Sequence, residues 1–311
     1  MNAVFLDALT LGTDVDLGPI ETVTGGLTRH DRTDPSQVLE RLAGFDTVLT
    51  NKVVLTRAHF EANPQLKTVA VVATGLNNID LPAARDHGIK VLNVTQYGRS
   101  TVAQHTLALI LALAIRLPDY QKDVRDGRWA KSDMFCLMDH PIMELEGKTL
   151  GIVGYGDLAQ GVAERARAFG MNIVLGCRPG QEPGIVDGYP RIPLEELLPK
   201  ADVLSLHCLL TDDTRNLIGA SELARMKPHA LLINTSRGGL VDEQALADAL
   251  RAGTIGGAGF DVLTEEPPRN GNPLLADDIP NLILTPHSAW ASREARQRIV
   301  NITADNLAGV A

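Results

Sequence analysis

The sequence predicts an α/β protein built from two doubly wound parallel-sheet domains with a cleft between them. Three observations carry that prediction. The chain has 311 residues, enough for two cores. Short continuous apolar runs alternate with helical patterns along its length, as expected for strands covered by helices on both faces. One glycine-rich turn, at 154–159, sits between a strand pattern and a helix pattern.

Taken in order, the first-domain strands are predicted in "AVFLD", "TVLT" (47–50), "TVAVVA" (68–73) and "IKVLNV" (89–94). The second set is "TLGIVG" (149–154), "NIVLG" (172–176), "DVLSLH" (202–207), "ALLINTS" (230–236), "GAGFDV" (257–262) and "NLILT" (281–285). Helices are expected in "DLAQGVAERARAF" and in "DEQALADALRAG", the latter capped by Asp242 and stopped at Gly253. Two longer helices are expected from Ser100 and from Ser292, and the last one is expected to fold back onto the first domain. The predicted division is therefore 1–98 plus 288–311 for one domain and 99–287 for the other. A cleft between two domains is a usual place for a ligand.

Composition narrows the function. Charged residues make up 22% and hydrophobic ones 44%, and the net charge is −9. That balance argues against a nucleic-acid or membrane surface, and leaves a small anionic substrate open, since such a ligand needs only local positive charge. Cys136, Cys177 and Cys208 are few, odd in number and without metal-type spacing, which points to a reducing compartment and no bound metal. The first ten residues lack a basic segment and carry an early acid, so no secretory signal is expected there. The apolar stretch "TLALILALAI" (106–115) is too short to span a bilayer. A cytoplasmic protein is the expectation.

The turn reads Gly154-Tyr155-Gly156-Asp157-Leu158-Ala159, a G-x-G-x-x-A fingerprint. Gly154 allows the tight turn, Gly156 lets backbone approach a pyrophosphate, and Ala159 lets helix and strand pack closely. The following helix points its free N–H groups at the phosphates. A glycine turn of an unrelated α/β unit would share the three small residues. The strand before it, the helix after it and the second strand beyond favour dinucleotide binding.

Three segments place chemistry-bearing residues just past strands. "INTSRGGLVDE" places Arg237, "FDVLTEEPPRNGNPL" places Glu265 and Glu266, and "LTPHSAW" places His287. A lone histidine at a strand end is more often structural than catalytic. In a parallel sheet, however, the carboxyl ends of strands line the ligand crevice. A guanidinium, a carboxylate and an imidazole can therefore converge. Such a set, beside a dinucleotide that carries hydride, could hold a carboxylate on the arginine fork and move a proton near neutral pH through a histidine beside a carboxylate.

Over nearly its full length the chain resembles the D-isomer-specific 2-hydroxyacid dehydrogenase family. "GKTLGIVGYG", "LINTSRGGLVDEQAL", "GAGFDVLTEEPP" and "LILTPHSAW" look like its successive signatures, in order. "NVTQYGRSTVAQHTLALIL" and "NGNPLLADDIPNLILTPHSAW" look most like its glycerate dehydrogenase (hydroxypyruvate reductase) branch. The resemblance implies a flavodoxin-like substrate domain and a Rossmann cofactor domain. It implies that His287 is the acid/base, that Glu266 pairs with it and that Arg237 binds substrate carboxylate and carbonyl oxygen. Asp261 would hold the nicotinamide carboxamide, and the loop Thr74, Gly75, Leu76 and Asn77 would cradle the substrate carboxylate with backbone N–H groups. The cofactor set it implies adds Cys177, Arg178, Pro179, His207, Cys208, Thr214, Thr235 and Ser236 to the fingerprint residues. The implied reaction is reduction of hydroxypyruvate to D-glycerate, with glyoxylate as second substrate, by a homodimer. Trp129, Met134 and Phe135 would lie in the dimer contact or simply pack. Another small 2-keto acid, or a dinucleotide-sensing protein without turnover, fits the same fold.

Two positions depart from the family pattern. Leu209 stands where a proline is usual. The strand after the fingerprint ends in Cys177-Arg178, where NAD-preferring members carry an acid for the ribose 2′-hydroxyl. Without that acid a 2′-phosphate is not repelled, and Arg178 could meet it, so NAD(P)H with a lean towards NADPH is expected. An ordinary solvated loop arginine is the alternative reading of Arg178. His207 and Cys208 end a strand either beside the cofactor or as plain packing. His105 reads as core or interface, and Trp290 as pocket wall or filler.

Overall fold

A computed structural model describes residues 1–310, which form two compact units, 1–98 with 291–310 and 99–290.

The first unit holds five strands: β1 (Ala3–Phe5), β2 (Leu27–Arg29), β3 (Thr47–Thr50), β4 (Thr68–Val71) and β5 (Lys90–Leu92). All pair in parallel, in the order β2-β1-β3-β4-β5. The order reverses beside β1, the mark of a doubly wound sheet. β3 and β4 are buried along their whole length, which is why they read as unbroken apolar or Thr/Val runs. Phe60, Leu42, Leu55 and Ala83 close one face over them. The final helix, Arg293–Ala308, starts at Ser292, whose side chain accepts from the Ala295 N–H, and belongs to this unit. Arg296 fixes it there through Asp14 and the Leu11 carbonyl, while Asn306 donates to the Asn93 carbonyl at 3.0 Å.

The second unit holds β6 (Thr149–Val153), β7 (Asn172–Gly176), β8 (Gly184–Val186), β9 (Tyr189–Ile192), β10 (Val203–Leu206), β11 (Leu231–Asn234), β12 (Gly257–Phe260) and β13 (Leu282–Leu284). Their order is β13-β12-β11-β10-β6-β7-β9-β8. The central strands are parallel, and the sheet again reverses beside β6, so the glycine turn that follows β6 sits at the switch point. Helices Arg99–Ala114 and Asp157–Ala168 contribute to one buried cluster, with Leu109, Ile110, Val162 and Ala166 packed on Ile152 and Ile233. Helix Glu243–Arg251, capped by Asp242 through the Ala245 N–H, covers another. Among the described residues no single helix is long and apolar enough to cross a membrane.

Three strands escape the sequence pattern. β2 is three residues long and mostly exposed, and β8 and β9 carry Gly184 and Pro190. β8 runs antiparallel to β9, an edge hairpin on an otherwise parallel sheet. Short, half-polar strands at or next to a sheet edge carry no continuous apolar run, which is the signal the other ten supplied.

Candidate active site

Parallel strands of one sheet all end on the same side, so the turns after β6, β7, β10, β11, β12 and β13 form one rim in the second unit. The site builds from the β12 end outward. Asp261 follows β12 directly and is 1% exposed. Its carboxylate accepts from the backbone N–H groups of Ser288 and Ala289, both at 2.9 Å, and from the Thr285 hydroxyl. His105, on helix Arg99–Ala114, adds a 2.9 Å hydrogen bond to the same Thr285 hydroxyl and lies 3.5 Å from the carboxylate. The His287 N–H donates to the Asp261 carbonyl at 2.8 Å. The turn bends so tightly that His287 has φ 52°, in the left-handed region. A non-glycine residue held there costs roughly 1–3 kcal/mol and persists only where its surroundings over-determine it. Five hydrogen bonds around Asp261 and Thr285 do so.

The bent turn presents the imidazole to Glu266. His287 Nδ1 and Glu266 Oε2 are 2.6 Å apart, and both side chains are about one-third exposed. Glu266 Oε1 accepts from the Leu263 N–H at 2.8 Å. Burial works against the ionised carboxyl, but the His287 bond, the Leu263 N–H and the Arg237 charge outweigh it and hold Glu266 below its usual range. Among the described residues His287 Nε2 has no partner, so it is the nitrogen left for a ligand.

Arg237 follows β11 and is exposed, with Nη1 on the Ser236 carbonyl at 2.7 Å. Next to it, a Cβ on Gly238 would stand 2.0 Å from the Leu263 carbonyl carbon and 2.3 Å from the Thr264 nitrogen. Only glycine fits that contact, and the contact packs the Arg237 turn against the turn leading to Glu266. Arg237, Glu266 and His287 thus occupy adjoining turns of one rim.

The fingerprint lies at the β6 end. Gly154 has φ 87°, and a Cβ there would stand 2.5 Å from the Cys208 nitrogen. Gly156 opens helix Asp157–Ala168, and a Cβ there would meet nothing within 4 Å. The space over Gly156 is therefore open to a ligand at the helix N-terminus. A cavity of about 350 Å³ is lined by Gly154, Tyr155, Gly156, Arg178, His207 and Cys208, together with Leu175, Gly176, Gln181, Val186, Arg191 and Leu209. Burial pushes His207 down to about 4, so it lines the cavity as a neutral ring, bonded to Ser205 Oγ at 2.8 Å. The Arg178 Nε is buried without a partner. An open glycine, a free helix N-terminus and an orphaned guanidinium nitrogen fit a phosphate-bearing dinucleotide.

The remaining expected residues are placed less directly. Asp157 is paired with Arg99 at 3.1 Å, Leu158 is partly exposed and Pro179 is exposed. Cys177 is buried beside the cavity. The hydroxyls of Thr214, Thr235 and Ser236 are engaged by the Leu209 carbonyl, Thr106 Oγ1 and the Cys208 carbonyl. Thr74, Gly75, Leu76 and Asn77 belong to the other unit, in the loop after β4. There the N–H groups of Gly75, Leu76 and Asn77 donate to no acceptor among the described residues. Sequence reasoning missed Arg191 because β9 went unrecognised, passed over Gln181 in the turn after β7, and gave His105 no polar role.

Comparison with known proteins gives the family. The model of the D-isomer-specific 2-hydroxyacid dehydrogenase NAD-binding domain matches residues 107–289. The chain belongs to that family. It is 47% identical over 273 residues to a glycerate dehydrogenase of Methylorubrum extorquens, covering 88% of this chain and 85% of the relative. It is 37% identical to a hydroxypyruvate reductase of Blautia hydrogenotrophica, covering 99% and 96%. A solved acyclic imino acid reductase in complex with NADPH and D-Arg superimposes with a TM-score of 0.82 at 30% identity, covering 96% of this chain and 94% of that one. The family makes the protein an oxidoreductase of small hydroxy and keto acids that uses a nicotinamide dinucleotide.

The Asp261 cluster generates a stability prediction. Asp261→Asn places an amide NH₂ against one of two N–H donors, and leaving that donor unsatisfied costs about 1–3 kcal/mol. A lowered Tm is expected in thermal unfolding. A variant that melts with the parent would show that Ser288 and Ala289 do not depend on the carboxylate.

Proposed function

We propose that this protein reduces hydroxypyruvate to D-glycerate, with glyoxylate as a second substrate, using NADPH in preference to NADH. The observation that carries the reaction is the His287–Glu266 pair at 2.6 Å, on a turn adjoining Arg237. The dinucleotide supplies the hydride. Arg237 offers its planar guanidinium to the substrate carboxylate and carbonyl oxygen. Glu266 holds His287 Nδ1, fixing the tautomer and favouring the imidazolium, and Nε2 gives the proton to the carbonyl oxygen. The free N–H groups of Gly75, Leu76 and Asn77 are the groups that a carboxylate-cradling role for the Thr74–Asn77 loop requires. The substrate assignment rests on the glycerate dehydrogenase and hydroxypyruvate reductase relatives. The NADPH preference rests on Cys177 in place of an acid, on the orphaned Arg178 Nε and on the NADPH-bound relative.

The same reading makes the protein a cytoplasmic homodimer. All three cysteines are free. Trp129, Met134, Phe135, Met138 and Ile142 form an exposed apolar stretch, with Phe135 87% exposed, and such surface usually marks a partner contact.

A panel of small 2-keto acids with NADPH and with NADH, followed by cofactor absorbance, tests the function. Hydroxypyruvate should give the highest kcat/KM and glyoxylate the next. Absence of turnover with every acid would replace the enzyme by a dinucleotide-sensing protein.

His287→Ala should lower kcat by about 10²–10⁴-fold while dinucleotide affinity is kept. Near-normal turnover would remove His287 from proton transfer. The Glu266 carboxyl is held below its usual range, so it stays ionised throughout the neutral region and its support of the imidazolium fades only as pH falls through that lowered value. In Glu266→Gln a neutral amide gives no such support at any pH, so the high-pH limb of reduction should move towards acid. Superimposable profiles for variant and parent would rule out electrostatic coupling of the pair.

A further inference from the structure

The cofactor cavity contains a second guanidinium, contributed by β9, the strand next to the sheet edge. Arg191 lies on β9, where it pairs with Leu175 of β7 in the parallel register and with Gly184 of β8 in the antiparallel one. Both neighbours leave it room: Leu175 lines the same cavity, and a Cβ on Gly184 would meet nothing within 4 Å. Its Nε donates to the Glu182 carbonyl at 2.9 Å, which fixes the plane of the group. Its two terminal nitrogens have no acceptor among the described residues, and no carboxylate forms an ion pair with it. Arg178 faces the same cavity from the turn after β7, its Nε buried without a partner and its backbone N–H held by Gln181 Oε1 at 3.1 Å. Both arginines line this one cavity, together with Leu175 and Gly176 at the end of β7.

Neither guanidinium has a carboxylate partner among the described residues, and both line one cavity. Each offers a planar fork suited to a phosphate. They stand beside the glycine turn and at the strand end where an acid would otherwise hold a ribose. We propose that Arg191 and Arg178 together clamp the 2′-phosphate of the dinucleotide, which makes Arg191 a cofactor-specificity residue. This rests on the NADPH reading above. Gln181 positions the Arg178 turn, and the Glu182 carbonyl positions Arg191. The hairpin β8–β9 then serves to bring a charge to the ribose end of the cofactor.

Titration calorimetry on the whole protein tests the clamp without turnover. The probes are adenosine 2′,5′-bisphosphate and 5′-AMP, with the parent, Arg178→Ala, Arg191→Gln and Arg191→Lys. Loss of one charge-assisted contact should weaken the bisphosphate by about ten- to a hundredfold in Arg191→Gln and leave 5′-AMP nearly unchanged. Arg191→Lys should recover part of the loss. Equal weakening of both nucleotides would reduce Arg191 to a structural role in the hairpin, and no weakening of either would overturn its contact with the ligand. If Arg178→Ala is selective while Arg191→Gln is silent, the clamp fails and the NADPH reading stands. If the parent binds the two nucleotides equally, the NADPH reading itself fails.

Discussion

The buried carboxylate of Asp261 is the constraint on which the candidate site depends. A carboxylate excluded from water must have its lone pairs satisfied. Here they are satisfied by the N–H groups of Ser288 and Ala289 and by the Thr285 hydroxyl, all on the chain that leaves β13. Those bonds pull residues 285–289 across the end of β12 and bend His287 into the left-handed region. His105 completes the arrangement from a helix distant in sequence. The orientation of the imidazole is therefore decided before any substrate arrives, by a residue that the resemblance assigned to the cofactor alone.

A second constraint acts through backbone contact. Gly238 and Gly154 each lie where a Cβ would overlap a neighbouring main chain, against Leu263–Thr264 and against His207–Cys208. Both contacts join consecutive turns of the rim. One locks the Arg237 turn to the turn that carries Glu266. The other locks the fingerprint to the end of β10. Catalytic groups placed on turns inherit the rigidity of strands when the turns are packed on each other in this way.

Much of this was legible in the sequence, for identifiable reasons. Ten of the thirteen strands lie in short apolar runs, and that apolarity announces them. Gly154, Gly156, Arg237, Glu266 and His287 each follow such a run, so their common rim could be inferred from the parallel topology. The pairing of Glu266 with His287 came from the family resemblance, and the 2.6 Å distance describes it. What stayed hidden depends on long-range pairing. Arg191 was invisible because "YPRI" has neither apolar continuity nor clean alternation, and only its register against Leu175 brings it to the cavity. His105 sits in a nearly uniform apolar helix, and its bond to Thr285 spans 180 positions of chain.

The placement of charge follows one rule across the site. Groups that fix geometry are buried and fully bonded, as Asp261 is, and burial keeps His207 neutral where a positive charge would serve no purpose in orienting the turn. Groups expected to meet ligand keep an unsatisfied atom: Nε2 of His287, Nε of Arg178 and the terminal nitrogens of Arg191. A buried donor without a partner is costly, about 1–3 kcal/mol, and a fold retains one when an acceptor arrives with the ligand. In the proposed reading, this unfilled hydrogen-bonding capacity marks the ligand path within this unit. It runs from the imidazole at the β13 end, past the open glycine turn at β6, to the two arginines beside β7. In the reading proposed above, nicotinamide, pyrophosphate and adenosine 2′-phosphate would lie along the rim in that order.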